Sequence, residues 1–209
     1  MKSAHWPPFK RNLVAILRGV KPDEIIAIGQ ALIGAGFEAI EVPLNSPHPF
    51  DSIHALAERA PDNVWIGAGT VLSPENVDRL HDAGGRLLVT PNVDPLVLAR
   101  AAHHGMVSMP GVLSPTEALL ALKCGASALK FFPASIPGPA GIAAVKAILP
   151  PDCIVGAVGG VSEANFADYM KIGVRTFGLG SSLYRPGFSA NEVAKRAAIA
   201  VAAYDEADK

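Results

Sequence analysis

The sequence predicts an α/β protein built as a single (β/α)8 barrel domain that spans residues 1–209. Three observations support this fold class. Short apolar runs alternate with helix-like segments along the chain, the alternation repeats eight times, and no linker-like stretch divides it. Parallel strands need crossover connections, so eight successive strand–helix units favour a parallel sheet that closes on itself. A doubly wound open sheet is the alternative that the pattern leaves open.

Apolar runs bounded by turn residues mark the eight strands. In chain order they are Leu13–Arg18, Glu38–Leu44, Val64–Gly69, Leu87–Pro91, Met106–Gly111, Ala128–Pro133, Cys153–Gly160 and Thr176–Ser181.

A helix is expected after each strand, because many of the intervening segments begin with proline or an acidic residue and several end in glycine. The predicted helices are Pro22–Gly36, His48–Ala60, Ser73–Gly84, Asp94–Gly105, Ser114–Gly125, Gly138–Leu149, Ser162–Gly173 and Asn191–Tyr204.

The composition points to a small-molecule ligand. The formal net charge is −1 and the basic residues are scattered, so the chain has no electrostatic footprint for nucleic acid or an acidic membrane. Half of the residues are apolar and the mean hydropathy is +0.30, which also indicates a buried contact between subunits.

A cytoplasmic location is expected. The N-terminal stretch MKSAHWPPFKRN lacks the apolar segment of a secretory signal, and no later run is long enough to span a bilayer. Cys124 and Cys153 lie in apolar surroundings without metal-like or redox spacing, so we interpret them as reduced thiols.

Neither a metal nor an organic cofactor is expected. The histidines fall before or on helices rather than at strand ends, and no carboxylate cluster accompanies them. Walker and Rossmann glycine motifs are also missing from the sequence. The histidines are His5, His48, His54, His81, His103 and His104.

Two ionisable residues occur late in apolar strands, where barrel enzymes place their active sites. Lys130 is surrounded by Leu129, Phe131 and Phe132, an apolar wall that would lower the pKa of its amine, as an attack on a carbonyl requires. Glu41 would face the same cavity as an acid/base partner. The alternatives are a lysine that snorkels to solvent and a structural ion pair between the two residues.

Further polar and glycine positions fall at the same mouth. Arg18 could grip a carboxylate, or be a solvated surface residue. Thr70 ends the segment GAGT, whose glycines could admit a ligand close to the backbone or mark a bend. The glycine-rich loops after the last two strands suit phosphate binding, although they could be plain turns. Their candidate residues are Gly159, Gly160, Gly180 and Ser181.

Six motifs together resemble the class I aldolases that cleave 2-dehydro-3-deoxy-6-phosphogluconate or its galactonate epimer. They are LKFFPA at Lys130, IEVPLNSP at Glu41, GAGTV at Thr70, VTPN at Pro91, and VGG with GLGS in the last two loops. The likeness runs in order from about Leu13 to Tyr184.

The resemblance implies a mechanism. Lys130 would form a Schiff base with the substrate C2 carbonyl, Glu41 would relay protons, and Thr70 would hold the pyruvate carboxylate. The two glycine-rich loops would hold the phosphate. The implied ligands are a phosphorylated 2-keto-3-deoxy sugar acid, pyruvate and glyceraldehyde 3-phosphate. No cofactor is implied, and the family forms homotrimers.

Two departures bear on the substrate. Asn45 stands where the gluconate enzymes have an arginine, so Arg18 is expected to supply that cation. Val158 replaces a threonine whose hydroxyl could bond one C4 epimer. Both departures resemble the galactonate branch of the family, so we expect that epimer and a role in galactonate catabolism. An enzyme for the gluconate epimer or for both, and a non-catalytic binding barrel, are the alternatives.

Overall fold

The computed structural model describes residues 4–209, so residues 1–3 of the predicted domain lie outside the described residues. Nine parallel strands form one sheet in the order β5-β4-β3-β2-β1-β9-β8-β7-β6. The strands are β1 (Leu13–Ile16), β2 (Ala39–Pro43), β3 (Trp65–Gly69), β4 (Leu87–Val89), β5 (Val107–Met109), β6 (Gly111–Val112), β7 (Leu129–Phe131), β8 (Val155–Val158) and β9 (Thr176–Leu179).

Helices alternate with the strands as predicted. They are α1 (Ile25–Ala35), α2 (Pro49–Ala57), α3 (Pro74–Asp82), α4 (Pro95–His103), α5 (Pro115–Lys123), α6 (Gly138–Lys146), α7 (Phe166–Met170) and α8 (Ala190–Ala207). Proline in the first turn is common to α2 through α6. Its fixed φ suits that position, and it lacks a backbone N–H that would have no partner there.

The sheet closes through the fifth predicted strand, which is interrupted at Pro110. Because proline has no N–H to donate, the ladder breaks there. The first half, β5, pairs with β4, and the second half, β6, pairs with β7. The carbonyl of Pro110 accepts the Lys130 N–H at 2.9 Å. Eight predicted strands thus become nine segments of one nearly closed barrel; the predicted fold class is confirmed and the open-sheet alternative is wrong.

Helix α7 is much shorter than the predicted Ser162–Gly173. The Asn165 side chain accepts a hydrogen bond from the Ser162 N–H at 3.0 Å and donates one to the Gly160 carbonyl at 2.9 Å. Asparagine that bonds to nearby backbone favours a turn over a helix. These residues therefore extend the loop after β8 instead of beginning α7.

The N-terminal segment covers the mouth at the N-terminal ends of the strands. Trp6 packs there with the inward-facing side chains Val14, Leu87 and Val107. Its indole N–H donates to Asn12 Oδ1 at 2.8 Å. The Ala4 N–H donates to the Met106 carbonyl at 3.2 Å, so the segment is tied to the barrel.

Within residues 4–209, no helix combines the length and the apolar character that crossing a bilayer would require.

Candidate active site

One cavity of about 540 Å³ lies at the C-terminal ends of the strands, and all ten predicted site residues line it. Seven strands, β1 to β4 and β7 to β9, contribute these residues from their ends or from the loops that follow them. They are Arg18, Glu41, Thr70, Pro91, Lys130, Val158, Gly159, Gly160, Gly180 and Ser181.

Lys130 is the central residue of β7 and projects into this cavity. It is only 6% exposed, so it does not snorkel to bulk solvent. Its strand neighbours are both glycines, Gly111 on β6 and Gly156 on β8. Nζ lies 4.9 Å from the centroid of the Phe132 ring. Burial lowers the pKa of the Lys130 amine to about 8; the charge of Glu41 opposes the shift and that of Arg18 adds to it.

Glu41 on β2 faces Lys130 on β7 from the opposite wall of the barrel. In one direction around the sheet, β1, β9 and β8 lie between these two strands; in the other direction, β3, β4 and the interrupted strand β5–β6 lie between them. Glu41 is 3% exposed, and its Oε2 accepts no hydrogen bond from any described residue. Burial raises the pKa of its carboxyl to about 7, against the opposing effects of Lys130 and Arg18.

Lys130 and Glu41 influence each other's pKa without forming an ion pair among residues 4–209. The structural ion pair considered from the sequence is therefore not what the structure contains. Instead, two buried groups share a cavity with both pKa values displaced toward neutrality. Such displacement is typical of groups that exchange protons during a reaction.

The glycines of GAGT make room for neighbouring protein atoms. A side chain at Gly69 would overlap the Glu41 carboxyl, and one at Gly67 would overlap the Leu87 carbonyl. At these two positions the absence of a side chain therefore accommodates neighbouring protein atoms rather than a ligand. Thr70, which follows, has φ +55°. This conformation is strained for a β-branched residue, and strain of this kind concentrates at functional sites.

Arg18 is held in place by the loop after β2. Its Nη1 donates to Asn45 Oδ1 at 2.6 Å, and the next N–H, of Gly19, donates to Ser46 Oγ at 2.9 Å. Arg18 is exposed, but these two bonds fix its loop at the rim, and its charge reaches both Glu41 and Lys130. Asn45, the departure noted in the sequence, is therefore the residue that positions this cation.

The loops after β8 and β9 bring backbone to the other side of the cavity. Gly159 and Gly160 have φ values of +87° and +78°, a conformation that favours glycine, and a side chain at Gly160 would crowd Ser135. After β9, the N–H groups of Leu183 and Tyr184 both donate to the Gly180 carbonyl at 2.9 Å. Residues 180–184 thus form a helical turn at the cavity wall, a geometry that suits an anion.

Several cavity residues were missed from the sequence. The predicted residues of the last loop ended at Ser181, whereas four residues of the segment Ser182–Pro186 also line the cavity. An arginine soon after a predicted phosphate loop was the available signal for Arg185. The missed residues are Ile16, Phe132, Val161, Gly178, Ser182, Tyr184, Arg185 and Pro186.

The histidines lie away from this cavity. His104 bonds Asp78 at 2.7 Å and stacks on His81 with the ring centroids 4.2 Å apart. Across the part of the chain that the structure describes, no group of three or more histidine, cysteine, aspartate or glutamate residues is arranged to hold a metal ion.

The site and fold define an aldolase of the family whose model, described as KDPG and KHG aldolase, matches residues 9–199. The chain belongs to this family. It is therefore an enzyme, a carbon–carbon lyase, and the non-catalytic alternative is not supported.

Individual relatives agree with this assignment. The chain is 60% identical to a probable 2-dehydro-3-deoxy-6-phosphogalactonate aldolase of Rhizobium meliloti strain 1021, over 95% of this chain and 94% of the relative. It is 50% identical to the 2-dehydro-3-deoxy-6-phosphogalactonate aldolase of Escherichia coli strain K12, over 95% and 97%. A solved structure described as native KDPGal superposes with a TM-score of 0.95 at 50% identity, covering 98% of both chains.

Proposed function

We propose that the enzyme cleaves 2-dehydro-3-deoxy-6-phosphogalactonate to pyruvate and D-glyceraldehyde 3-phosphate through a Schiff base on Lys130. One observation carries the proposal: a buried amine and a buried carboxyl face each other across one cavity, with pKa values of about 8 and about 7. Near neutral pH, such a pair supplies both an uncharged nucleophile and a group able to take and return a proton.

Bond formation begins at the Lys130 amine. In its neutral form the amine attacks the C2 carbonyl, and the resulting carbinolamine takes up one proton and loses water to give a protonated imine. The positive imine nitrogen then serves as the electron sink for the next step. Because a desolvated amine has a lowered pKa, a useful fraction of Lys130 is uncharged at neutral pH.

Bond cleavage follows at C3–C4. Glu41, directly or through a water molecule, takes the proton of the C4 hydroxyl. The C4 oxygen forms a carbonyl, the C3–C4 electron pair moves into the imine, and glyceraldehyde 3-phosphate leaves. The remaining enamine takes a proton at C3, and water then hydrolyses the imine to release pyruvate and restore the Lys130 amine.

Arg18 and Thr70 are assigned to the carboxylate of the substrate in this proposal, and Pro91 forms part of the same wall. The charge of Arg18 acts on both Lys130 and Glu41, which indicates a position near the reacting carbons. The backbone of Gly159, Gly160, Gly180 and Ser181 is assigned to the phosphate.

Preference for the galactonate epimer rests on Val158 and on the relatives. Val158 lines the cavity with an apolar side chain, so it offers no hydrogen bond to a C4 hydroxyl. A site that makes a hydrogen bond to one epimer discriminates more strongly than a site made of methyl groups. Two relatives that are 60% and 50% identical carry the name of the galactonate enzyme. Galactonate catabolism and a cytoplasmic location remain part of this proposal.

The test is pyruvate release from the purified enzyme with the galactonate and gluconate 6-phosphates offered separately. We expect a clear preference for the galactonate epimer. Val158→Thr should raise the relative kcat/KM for the gluconate epimer by about 10-fold, the scale of one added hydrogen bond. Equal rates for the two epimers would replace this specificity with a dual-epimer aldolase, and cleavage of neither would refute the proposed substrates.

A homotrimer is also proposed, on the strength of the family resemblance and of leucines that the isolated chain leaves exposed. Sedimentation equilibrium of the purified protein tests it: a mass three times that of the chain is expected, and a monomer would contradict it. These leucines are Leu72, Leu96, Leu113, Leu119 and Leu120.

A further inference from the structure

Arg185 is a cavity cation that the proposed mechanism does not use. It lies in the loop after β9 and lines the same cavity as Lys130. Its Nε donates to the Ser181 carbonyl at 3.1 Å, a bond that occupies one edge of the guanidinium. Arg185 forms no ion pair with a carboxylate anywhere in residues 4–209. Its terminal nitrogens are therefore available to a ligand anion.

The backbone around Arg185 is fixed on three sides. Its carbonyl accepts the Phe188 N–H at 3.0 Å, and Arg196 of α8 donates to the Ser182 carbonyl at 3.2 Å. Pro186 packs so closely on Gly19 that a Cβ there would lie 2.8 Å from Pro186 Cγ. The side chain is exposed, but the loop that carries it is anchored to α8 and to the loop after β1. Such an anchored cation loses less entropy when it binds an anion.

The charges of the cavity are divided between its two ends. Arg18 influences the pKa of both Lys130 and Glu41, so it lies at the end where carbon–carbon cleavage is proposed. Arg185 is bonded instead to the carbonyl of Ser181, in the proposed phosphate loop. Among the described residues lining the cavity, the remaining members of the two loops offer only backbone groups and hydroxyls.

A phosphate ester carries a charge of about −1.5 to −2 at neutral pH, and a guanidinium binds it with charge-assisted bonds. We propose that Arg185 binds the 6-phosphate of the substrate and so makes the enzyme select phosphorylated over unphosphorylated sugar acids. This inference rests on the proposed function, because it assigns one further residue to the same site.

The experiment compares kcat/KM for 2-dehydro-3-deoxy-6-phosphogalactonate with kcat/KM for unphosphorylated 2-dehydro-3-deoxygalactonate. In Arg185→Met, the ratio of the two should fall by about 10- to 100-fold, the range for loss of a hydrogen bond to a charged group. Arg185→Lys should restore part of the ratio, since it keeps the charge but not the planar fork.

Arg59 provides the matched control. It is also exposed and also donates to a backbone carbonyl, that of Ala55 at 3.0 Å, but it lies outside the cavity. Arg59→Met should leave the substrate ratio at the wild-type value. An unchanged ratio in Arg185→Met, or an equal loss on both substrates, would overturn the assignment of Arg185.

Trapping of pyruvate separates this inference from the proposed function. Pyruvate has no phosphate, and borohydride reduces its imine with Lys130 to a stable adduct. If wild-type enzyme forms the adduct and the Arg185→Met ratio is unchanged, only the role of Arg185 is wrong. If wild-type enzyme forms no adduct, the Schiff-base function itself has failed.

Discussion

The two mouths of the barrel are made by the same strands, yet they differ in what they bury. At the N-terminal mouth, Trp6 packs on apolar side chains, and its N–H is bonded to Asn12. At the C-terminal mouth, Lys130 and Glu41 are buried without an ion pair between them. Stability and reactivity are thus assigned to opposite ends of one fold, as is usual for such barrels.

At the C-terminal mouth, the directions of the Lys130 and Glu41 pKa shifts indicate that burial of charge lowers the stability of the folded protein. A lysine whose pKa is lowered on folding, and a glutamate whose pKa is raised, are both less stable when charged in the folded protein than in the unfolded chain. The two mouths are therefore expected to differ both in reactivity and in their contribution to the free energy of unfolding. Four predictions test this difference.

Replacement of Lys130 has the largest expected effect. Lys130→Arg keeps a positive charge but removes the amine that can form an imine. We expect no measurable cleavage together with an unchanged circular dichroism spectrum. An exposed lysine on α5 supplies the control, and Lys123→Arg should retain the wild-type rate. Measurable aldol cleavage by Lys130→Arg would contradict the mechanism.

Glu41→Gln should reduce kcat by about 10²- to 10⁴-fold, the range for removal of a general acid–base group. Glu38, the residue immediately before β2, is the matched control. It accepts the Lys10 N–H at 2.7 Å, and it does not line the cavity. Steady-state kinetics should show little change of kcat in Glu38→Gln. An equal loss of kcat in the two variants would contradict the assignment of acid–base chemistry to the C-terminal mouth.

The two mouths should respond in opposite directions when stability is measured. Trp6→Ala should lower the free energy of unfolding by about 3 kcal/mol, because it removes a large packed side chain. Lys130→Met should raise it at pH 7 by about 2 kcal/mol, because it relieves the unfavourable burial of the ammonium.

Urea denaturation at two pH values gives both free energies. The burial cost of the Lys130 ammonium is largest below its folded pKa of about 8, and it declines toward pH 10.5, where the unfolded lysine also loses its proton. The advantage of Lys130→Met should therefore narrow between pH 7 and pH 10. A destabilised Lys130→Met at pH 7 would show that Lys130 contributes to stability after all.

The pH dependence is the smallest of the four effects. Below the Lys130 pKa of about 8, the neutral fraction of its amine falls about 10-fold per pH unit, so the rate of pyruvate adduct formation should fall as pH decreases. Glu41→Gln removes the negative charge that raises the pKa of Lys130. The fall in the rate of adduct formation should therefore occur at lower pH in this variant. A profile that is flat from pH 6 to pH 9, or one that moves upward in Glu41→Gln, would contradict the electrostatic account.

The residues of the C-terminal mouth could be predicted from the sequence because their signals are local. Lys130 and Glu41 each stand out within a single apolar strand, and the glycines after the last two strands do so within single loops. The closed barrel also follows from a local pattern, repeated along the chain.

The features that escaped prediction depend on contacts between distant segments. The interruption at Pro110 lies inside a predicted strand, but its change of partner from β4 to β7 is a property of the closed sheet. Trp6 reaches the far mouth only because the barrel is already formed. Asn45 and Arg18 meet across 27 positions of sequence, and the loop that carries Arg185 to the cavity wall is held by Arg196 of α8.

The most direct test of the role proposed for Lys130 is to locate the pyruvate adduct. The enzyme is incubated with pyruvate, reduced with borohydride, digested with trypsin and examined by mass spectrometry. The modified lysine resists cleavage, so we predict one reduced pyruvate on the peptide Cys124–Lys146, at Lys130, and none on the peptides that contain the exposed lysines. An adduct on another lysine, or no adduct at all, would contradict the assignment of Lys130 as the nucleophile.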